Sequence, residues 1–281
     1  MTTLLLPEII LLSAAAGLVG GFTAGLLGLG GGVVAVPIMN YVLPLAGVPE
    51  PIVMHAALVI SLATMVYNAG SAAVLRWRAG ELPTGLFMRL APAAIVGALL
   101  GAVIADLLTS HTLRIVFVCY VSFVALREIY RIATHADRKA AEALHGREPF
   151  LSPAYVTQPY FVLTGAVGSI LGVGAALLVV PFFAGAGFSM QVGAAMASAI
   201  SAVMASIGTV AFVVAGQDAV GMPPYSLGYL YLPAFAGMLV GATIGSPVGV
   251  RTAHRLSERT LKGIFLATVA LVVVSMVGKL L

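Results

Sequence analysis

Two stretches without a single charged side chain constrain this chain more than any other feature. Glu8 and Glu50 bracket 41 uncharged residues, and Glu148 and Asp218 bracket 69. A helix needs about 20 predominantly apolar residues to cross a bilayer, so the second stretch alone can cross more than once. Charged residues make up only 9% of the 281 and hydrophobic ones 60%, whereas a soluble domain carries about 25% charge to cover its surface. The short alternating segments and regular turns of an outer-membrane barrel are absent. The sequence therefore predicts an all-α, multi-pass membrane protein.

Composition excludes several other classes. The single cysteine, Cys119, lies in an apolar segment and reads as a small core residue, not a redox centre. The net charge of +4 is distributed as membrane orientation requires, which argues against nucleic acid as a partner. Neither a metal nor an organic cofactor is expected. Residues 1–16 lack the basic n-region of a signal peptide, and Glu8 interrupts them, so they are read as part of the mature chain.

The chain reads as a duplicated unit. Gly21–Gly30 lies over Gly165–Gly174, and the same offset of 144 residues places Pro37 on Pro181. Further on, Ala91-Pro92 with Gly97 and Gly101 is echoed by Leu232-Pro233 with Gly237 and Gly241. Thr112-Leu113-Arg114 is echoed by Thr260-Leu261-Lys262. The expected organisation is a first membrane repeat over 1–132, a polar linker over 133–157, and a second membrane repeat over 158–281. A short amphipathic helix is expected in the linker.

Six segments read as full spans: 54–76, 85–108, 112–132, 190–215, 226–250 and 259–280. Basic residues mark cytoplasmic loops. They cluster around the first inter-span loop (Arg76, Arg78, Arg89), at the linker and the span end before it (Arg127, Arg131, Arg138, Lys139, Arg147) and in the last loop (Arg251, Arg255, Arg259, Lys262); Arg114 and Lys279 fall elsewhere. With all three clusters inside, 158–188 must cross an even number of times, and it is too short for two full spans. It is expected to be a re-entrant helical hairpin with Gly172-Val173-Gly174 at its tip. By the repeat, 14–44 is its counterpart, with its tip at Gly28-Leu29-Gly30-Gly31-Gly32; the alternative is one complete crossing by 4–27. Each repeat then holds a hairpin and three spans, an odd number of crossings, so the second repeat is inverted and both termini fall outside.

Irregular backbone at membrane depth is tolerated only where protein buries it or a cavity adjoins it, and transporters place substrate at such broken helices. The half-helix after each tip begins with N–H groups that lack intrahelical acceptors and with the positive end of its dipole. Facing tips therefore make an anion site without a buried cation. Gly28, Gly30, Gly31, Gly32, Gly172 and Gly174 are the candidate backbone donors; tight helix packing is the competing reading. Packing is the preferred reading for Gly97/Gly101 and Gly237/Gly241. Ser61, Thr64, Asn68 and Ser71 share one helical face, and Ser198 and Ser201 can face together in the second repeat. Ser61, Asn68, Ser198 and Ser201 are the candidate side-chain donors, with interhelical hydrogen bonding as the bland alternative. His55 is either a proton-coupling group or an interfacial residue. Arg89 either snorkels to the surface or helps anions enter, and Trp77 reads as an interfacial anchor.

The segment 21–32 with Pro37, its degenerate copy at 165–181, the Ser61-Leu62 pair and the loop Arg76-Trp77-Arg78-Ala79-Gly80-Glu81 resemble the sulfite exporter TauE/SafE family over nearly the whole chain. The resemblance implies a transporter of sulfur-containing anions such as sulfite, sulfonates and sulfoacetate-like molecules in a bacterial inner membrane. Ser169 stands where the family pattern has Gly, and Ala175-Ala176 where further glycines are typical, so an asymmetric site is expected. An alternating-access transporter is the leading expectation and an anion channel on the same architecture the alternative. An intramembrane enzyme is disfavoured because no Ser/His or paired-Asp arrangement occurs at midplane depth. The expected partners are a small anion and the lipid bilayer, and the Gly/Ala-rich faces suit a homodimer.

Overall fold

A computed structural model of the protein describes residues 5–27, 31–134, 151, 153–253 and 255–279. The helices are α1 (Leu6–Leu27), α2 (Gly32–Leu45), α3 (Val53–Arg78), α4 (Thr84–Leu107), α5 (Ser110–Thr134), α6 (Ala154–Leu171), α7 (Ala176–Gly185), α8 (Met190–Ala215), α9 (Leu232–Ala253) and α10 (Glu258–Val277). Five helices among the described residues are long and apolar enough to cross a membrane, namely α1, α3, α4, α8 and α9. The chain is an α-helical multi-pass membrane protein. Two segments read as spans, α5 and α10, are not among the five: α5 carries Arg114, Arg127 and Glu128, and the apolar part of α10 is Gly263–Val277.

Both glycine-rich segments break a helix. Gly172 adopts φ 62°, a left-handed conformation that ends α6 with little strain only because glycine lacks a Cβ. Gly31, at φ 78°, precedes α2. After each break the chain turns back. Gly31 lies against Gly20 and Ala24, and Ala46 and Gly47 at the far end of α2 share a cleft with Leu6 and Ile9. In the second hairpin the Tyr160 hydroxyl donates to Leu178 O at 2.8 Å, and Phe161 stacks edge-on against Phe182 and Phe183. The arms are unequal: α1 and α6 have 22 and 18 residues, α2 and α7 only 14 and 10. At 1.5 Å per residue the returning arms are about 21 and 15 Å long, short of the roughly 30 Å hydrocarbon core. The first arms are longer than half-helices, and α1 is long enough to cross.

Two seams of small residues join the halves of the chain. Gly17, Gly21 and Gly25 of α1 meet Met238, Ala242 and Ser246 of α9 in rising order, so these helices run parallel. Gly97 and Gly101 of α4 meet Val162 and Ala166 of α6, also in parallel. The first arm of each hairpin thus packs on the second span of the other half. Between the seams α3 and α8 run antiparallel: Leu62 touches Gly208, while Ala72 and Arg76 face Ala194 and Ala197 across a cavity.

One boundary differs from expectation. The segment read as helical from 226 starts as a β-hairpin, β1 (Ser226–Leu227) pairing antiparallel with β2 (Leu230–Tyr231). Gly228 makes the turn at φ 55°, against Val213 O, and Tyr225 before it has φ 69°. The helix α9 starts only at Leu232. The expected linker helix lies outside the described residues.

Candidate functional site

The central helix α3 has two unlike halves. Every residue from Val53 to Met65 is buried, whereas none from Val66 to Arg78 is. The change falls where the two helix breaks meet. A Cβ on Gly32 would stand 2.0 Å from Gly172 O and 3.0 Å from Ser61 Oγ, so Gly32 lets the two breaks touch backbone to backbone. Ser61 Oγ donates to Gly172 O at 2.8 Å, and Leu58 packs against Gly172.

Beyond this plug a cavity of about 250 Å³ opens toward Arg76. Its walls come from both halves: Ala24 and Gly25 of α1, Met65, Asn68 and Ala72 of α3, Ala176 and Val180 of α7, Ser198 and Ser201 of α8, and Ser246 of α9. A smaller space of about 10 Å³, room for about one water, adjoins it and is lined by Gly31, Gly32, Ser61, Thr64 and Asn68. Asn68 and Met65 line both.

The polar groups are arranged as follows. Ser201 Oγ accepts the Ala175 N–H at 2.8 Å, which leaves its own proton free to donate. Ser198 donates to Ala194 O. The Asn68 amide has no hydrogen-bond partner among the described residues, so both its N–H bonds are free for a cavity ligand. The first turn of α7 reaches the cavity at Ala176, and the N–H groups of a first helical turn lack intrahelical acceptors. Arg76, at the mouth, pairs with Glu81 at 3.0 Å.

The structure places Asn68, Ser198 and Ser201 around the larger cavity and Gly31, Gly32, Ser61 and Asn68 around the smaller space beside it. Gly172 lies in the plug and offers it a carbonyl oxygen, an acceptor, to Ser61; Gly174 is buried beside it. Gly28 and Gly30 lie outside the described residues. Arg89 is exposed on α4 and away from the cavity; its carbonyl accepts from Gln158. His55 is buried two turns from the plug on the far side from the cavity. Its Nε2 meets Ala105 O at 3.1 Å and its ring stacks on Tyr229 at 5.0 Å. Tyr229 donates to Asp106 at 2.9 Å; burial first, then the Asp106 carboxylate, pushes its phenol up to about 12, so it stays a donor.

Sequence reasoning assigned Arg76 to orientation alone and missed Ser246. It also missed a cluster around the buried Asn40 and Arg114, in which Arg114 donates to Asn40 Oδ1 at 3.1 Å and pairs with the exposed Glu50, while Lys279 donates to Asn40 O at 3.0 Å. The clue was that Arg114 and Lys279 alone fell outside the basic clusters.

The sequence profile of the sulfite exporter TauE/SafE family matches residues 13–276. The chain belongs to this family. Among TauE/SafE relatives, a probable membrane transporter protein of Haemophilus influenzae is 29% identical over 265 residues, covering 93% of this chain and 97% of its own length. One from Methanocaldococcus jannaschii is 20% identical over 264 residues, 92% of this chain and 90% of the relative. A third, from Xylella fastidiosa, is 30% identical over 161 residues, 57% of each chain. No solved structure gives a significant match. Family membership makes this TauE/SafE protein a membrane transporter, and the cavity between its halves is the place to look for what it carries.

Proposed function

We propose that the protein is a secondary transporter that moves a small sulfur-containing anion, of sulfite, sulfonate or sulfoacetate type, by alternating access. The observation that carries the reading is the cavity of about 250 Å³ that both halves build and that ends at two abutting helix breaks. Free donors on Asn68 and Ser201, together with the α7 N-terminus, suit an oxyanion that must bind and then leave. Apolar walls at Met65, Ala72 and Val180 suit the carbon skeleton of an organic one.

The reading includes two inverted repeats with their dyad between α3 and α8. It is supported by the antiparallel course of those helices and by the reciprocal pairs α1·α9 and α4·α6. Val250, next to Arg251, shares the mouth with Arg76, so the open end is the basic end. On the positive-inside rule that end is cytoplasmic in a bacterial inner membrane, the conformation faces inward, and both termini lie outside. Backbone of Gly32 and Gly172 abutting at the end of the cavity favours a transporter over a channel.

The test is flux in proteoliposomes loaded with sulfite, methanesulfonate or sulfoacetate. Saturable uptake with counterflow of at least one anion is expected. Joint replacement Asn68→Ala and Ser201→Ala should lower it by about tenfold or more, as loss of hydrogen bonds to a charged group implies. Flux linear in concentration would support the channel; no flux of any of the three would sink the proposal.

A further inference from the structure

The end of the molecule opposite the cavity is its closed end, and one contact there ties the β-hairpin to α4 without touching the substrate site. Tyr229, on the β-hairpin between α8 and α9, is 9% exposed and reaches across to the end of α4, where its hydroxyl donates to Asp106 Oδ1. Its ring lies face-on over His55 and edge-on to Phe212. Among the described residues no counterpart stands at the open end, where the loop between α3 and α4 carries the Arg76–Glu81 pair.

His55 is the unusual member. It is 3% exposed, and because Nε2 faces a carbonyl oxygen that can only accept, Nε2 carries the proton. Nδ1 is then a bare lone pair, and it has no hydrogen-bond partner. A buried acceptor without a donor costs free energy. Charging a ring buried this deeply costs desolvation, and two features of the surroundings work against that cost. Ala105 O belongs to the last turn of α4, whose dipole end favours a cation. The charged and titratable groups that face His55 are Asp106 of α4 and Tyr229 of the hairpin. Next to it α5 presents Ser110, which receives the Met54 N–H and donates to Pro51 O. Asp106 is half-buried, so water reaches this carboxylate from the closed end.

We propose that His55 is a proton-binding site that controls the closed end: Nδ1 takes a proton from the water beside Asp106, the imidazolium competes with Tyr229 for the Asp106 carboxylate, and the β-hairpin is released. The step binds one proton from solvent acid, breaks the Tyr229–Asp106 hydrogen bond and puts an imidazolium–carboxylate pair in its place. His55 and Leu58 lie one turn apart on α3, and Leu58 packs on Gly172, so motion of this end reaches the plug through a single helix. This deepens the transporter reading by naming the proton as the coupling ion, and it rests on that reading for its physiological meaning only.

The test needs no substrate. Spin labels are placed at Leu107→Cys and Leu227→Cys, which are 79% and 51% exposed, in a Cys119→Ser background, and the protein is reconstituted in lipid nanodiscs. Their separation is measured from about pH 8 down to about pH 4.5, a range that reaches below the one in which an exposed histidine charges. The expected result is a short distance at high pH and a longer population at low pH. His55→Gln should abolish the change and keep the short distance. Tyr229→Phe should give the longer population at both pH values. Asp106→Asn keeps an acceptor for Tyr229 but no charge, and should also lose the response; it stands in should His55→Gln not fold. A separation independent of pH in the unaltered pair, or a response that survives in His55→Gln or Asp106→Asn, overturns the proposal. Because the distance is read without anion, failure of every flux assay would strike the transport reading and leave this result standing on its own.

Discussion

Proline deletes a backbone donor, and the consequences can be followed here atom by atom. Within α7, Pro181 leaves the carbonyl of Leu177 without its helical partner, and Arg127 Nη1 of α5 reaches that oxygen at 3.3 Å. Within α2, Pro44 does the same to Asn40 O, and Lys279 Nζ fills it. The returning arm of each hairpin is therefore fastened by a cation from a neighbouring segment. Replacing Arg127 by Met should cost about 1–3 kcal/mol, the penalty for an unpaired buried acceptor. Pro181→Ala returns an N–H to the helix, so the two changes should couple by more than about 0.5 kcal/mol in a denaturation-based double-mutant cycle in detergent. Additive losses would mean that the Arg127 contact is incidental. The sequence placed Arg127 in a loop cluster because charge counting records where a cation is attached and not what its long side chain reaches. The serines and Asn68 were legible as a polar face by helical spacing. Which hydroxyls are spent on the plug and which are free depends on contacts across the chain that spacing does not encode.

Element identity was written mainly in glycine. Both breaks fall at the glycine clusters, where Gly31 and Gly172 take left-handed φ without a Cβ penalty. Spaced glycines with wider gaps have the opposite use, as the seams show. A Cβ on Gly97 would stand 1.9 Å from Val162 O, and one on Gly241 1.9 Å from Ala14 O. Gly70, on the cavity half of α3, has nothing within 4 Å. Gly97→Ala and Gly241→Ala should each destabilise by about 1–3 kcal/mol, the usual cost of overpacking. Gly70→Ala should stabilise by up to about 1 kcal/mol, the difference in helix propensity. Thermal melts of the three variants in one detergent decide this, and equal losses at all three positions would remove the packing account. The β-hairpin at 226–231 was not legible, because its two-residue strands carry no alternation and its turn depends on Val213 O lying against Gly228.

At the scale of the whole molecule, one helix records the conformational state. The first half of α3 is wrapped on all sides, and the second borders the cavity, so chemical access should change abruptly between Met65 and Val66. Cysteines placed singly along 53–78 in a Cys119→Ser background should react with a membrane-impermeant maleimide only from Val66 onward, with Ala69 and Ala72 reporting the cavity itself. Alternating access requires more than this static pattern. A state open at the other end must expose positions near His55 and bury Ala72, which means that reactivity at the two ends should move in opposite directions. Low pH, if it frees Tyr229 from Asp106, is the condition that should produce the exchange. Reactivity rising at both ends together would describe a pore, and in that case the plug formed by Gly32, Ser61 and Gly172 would be a gate that opens without a second gate closing.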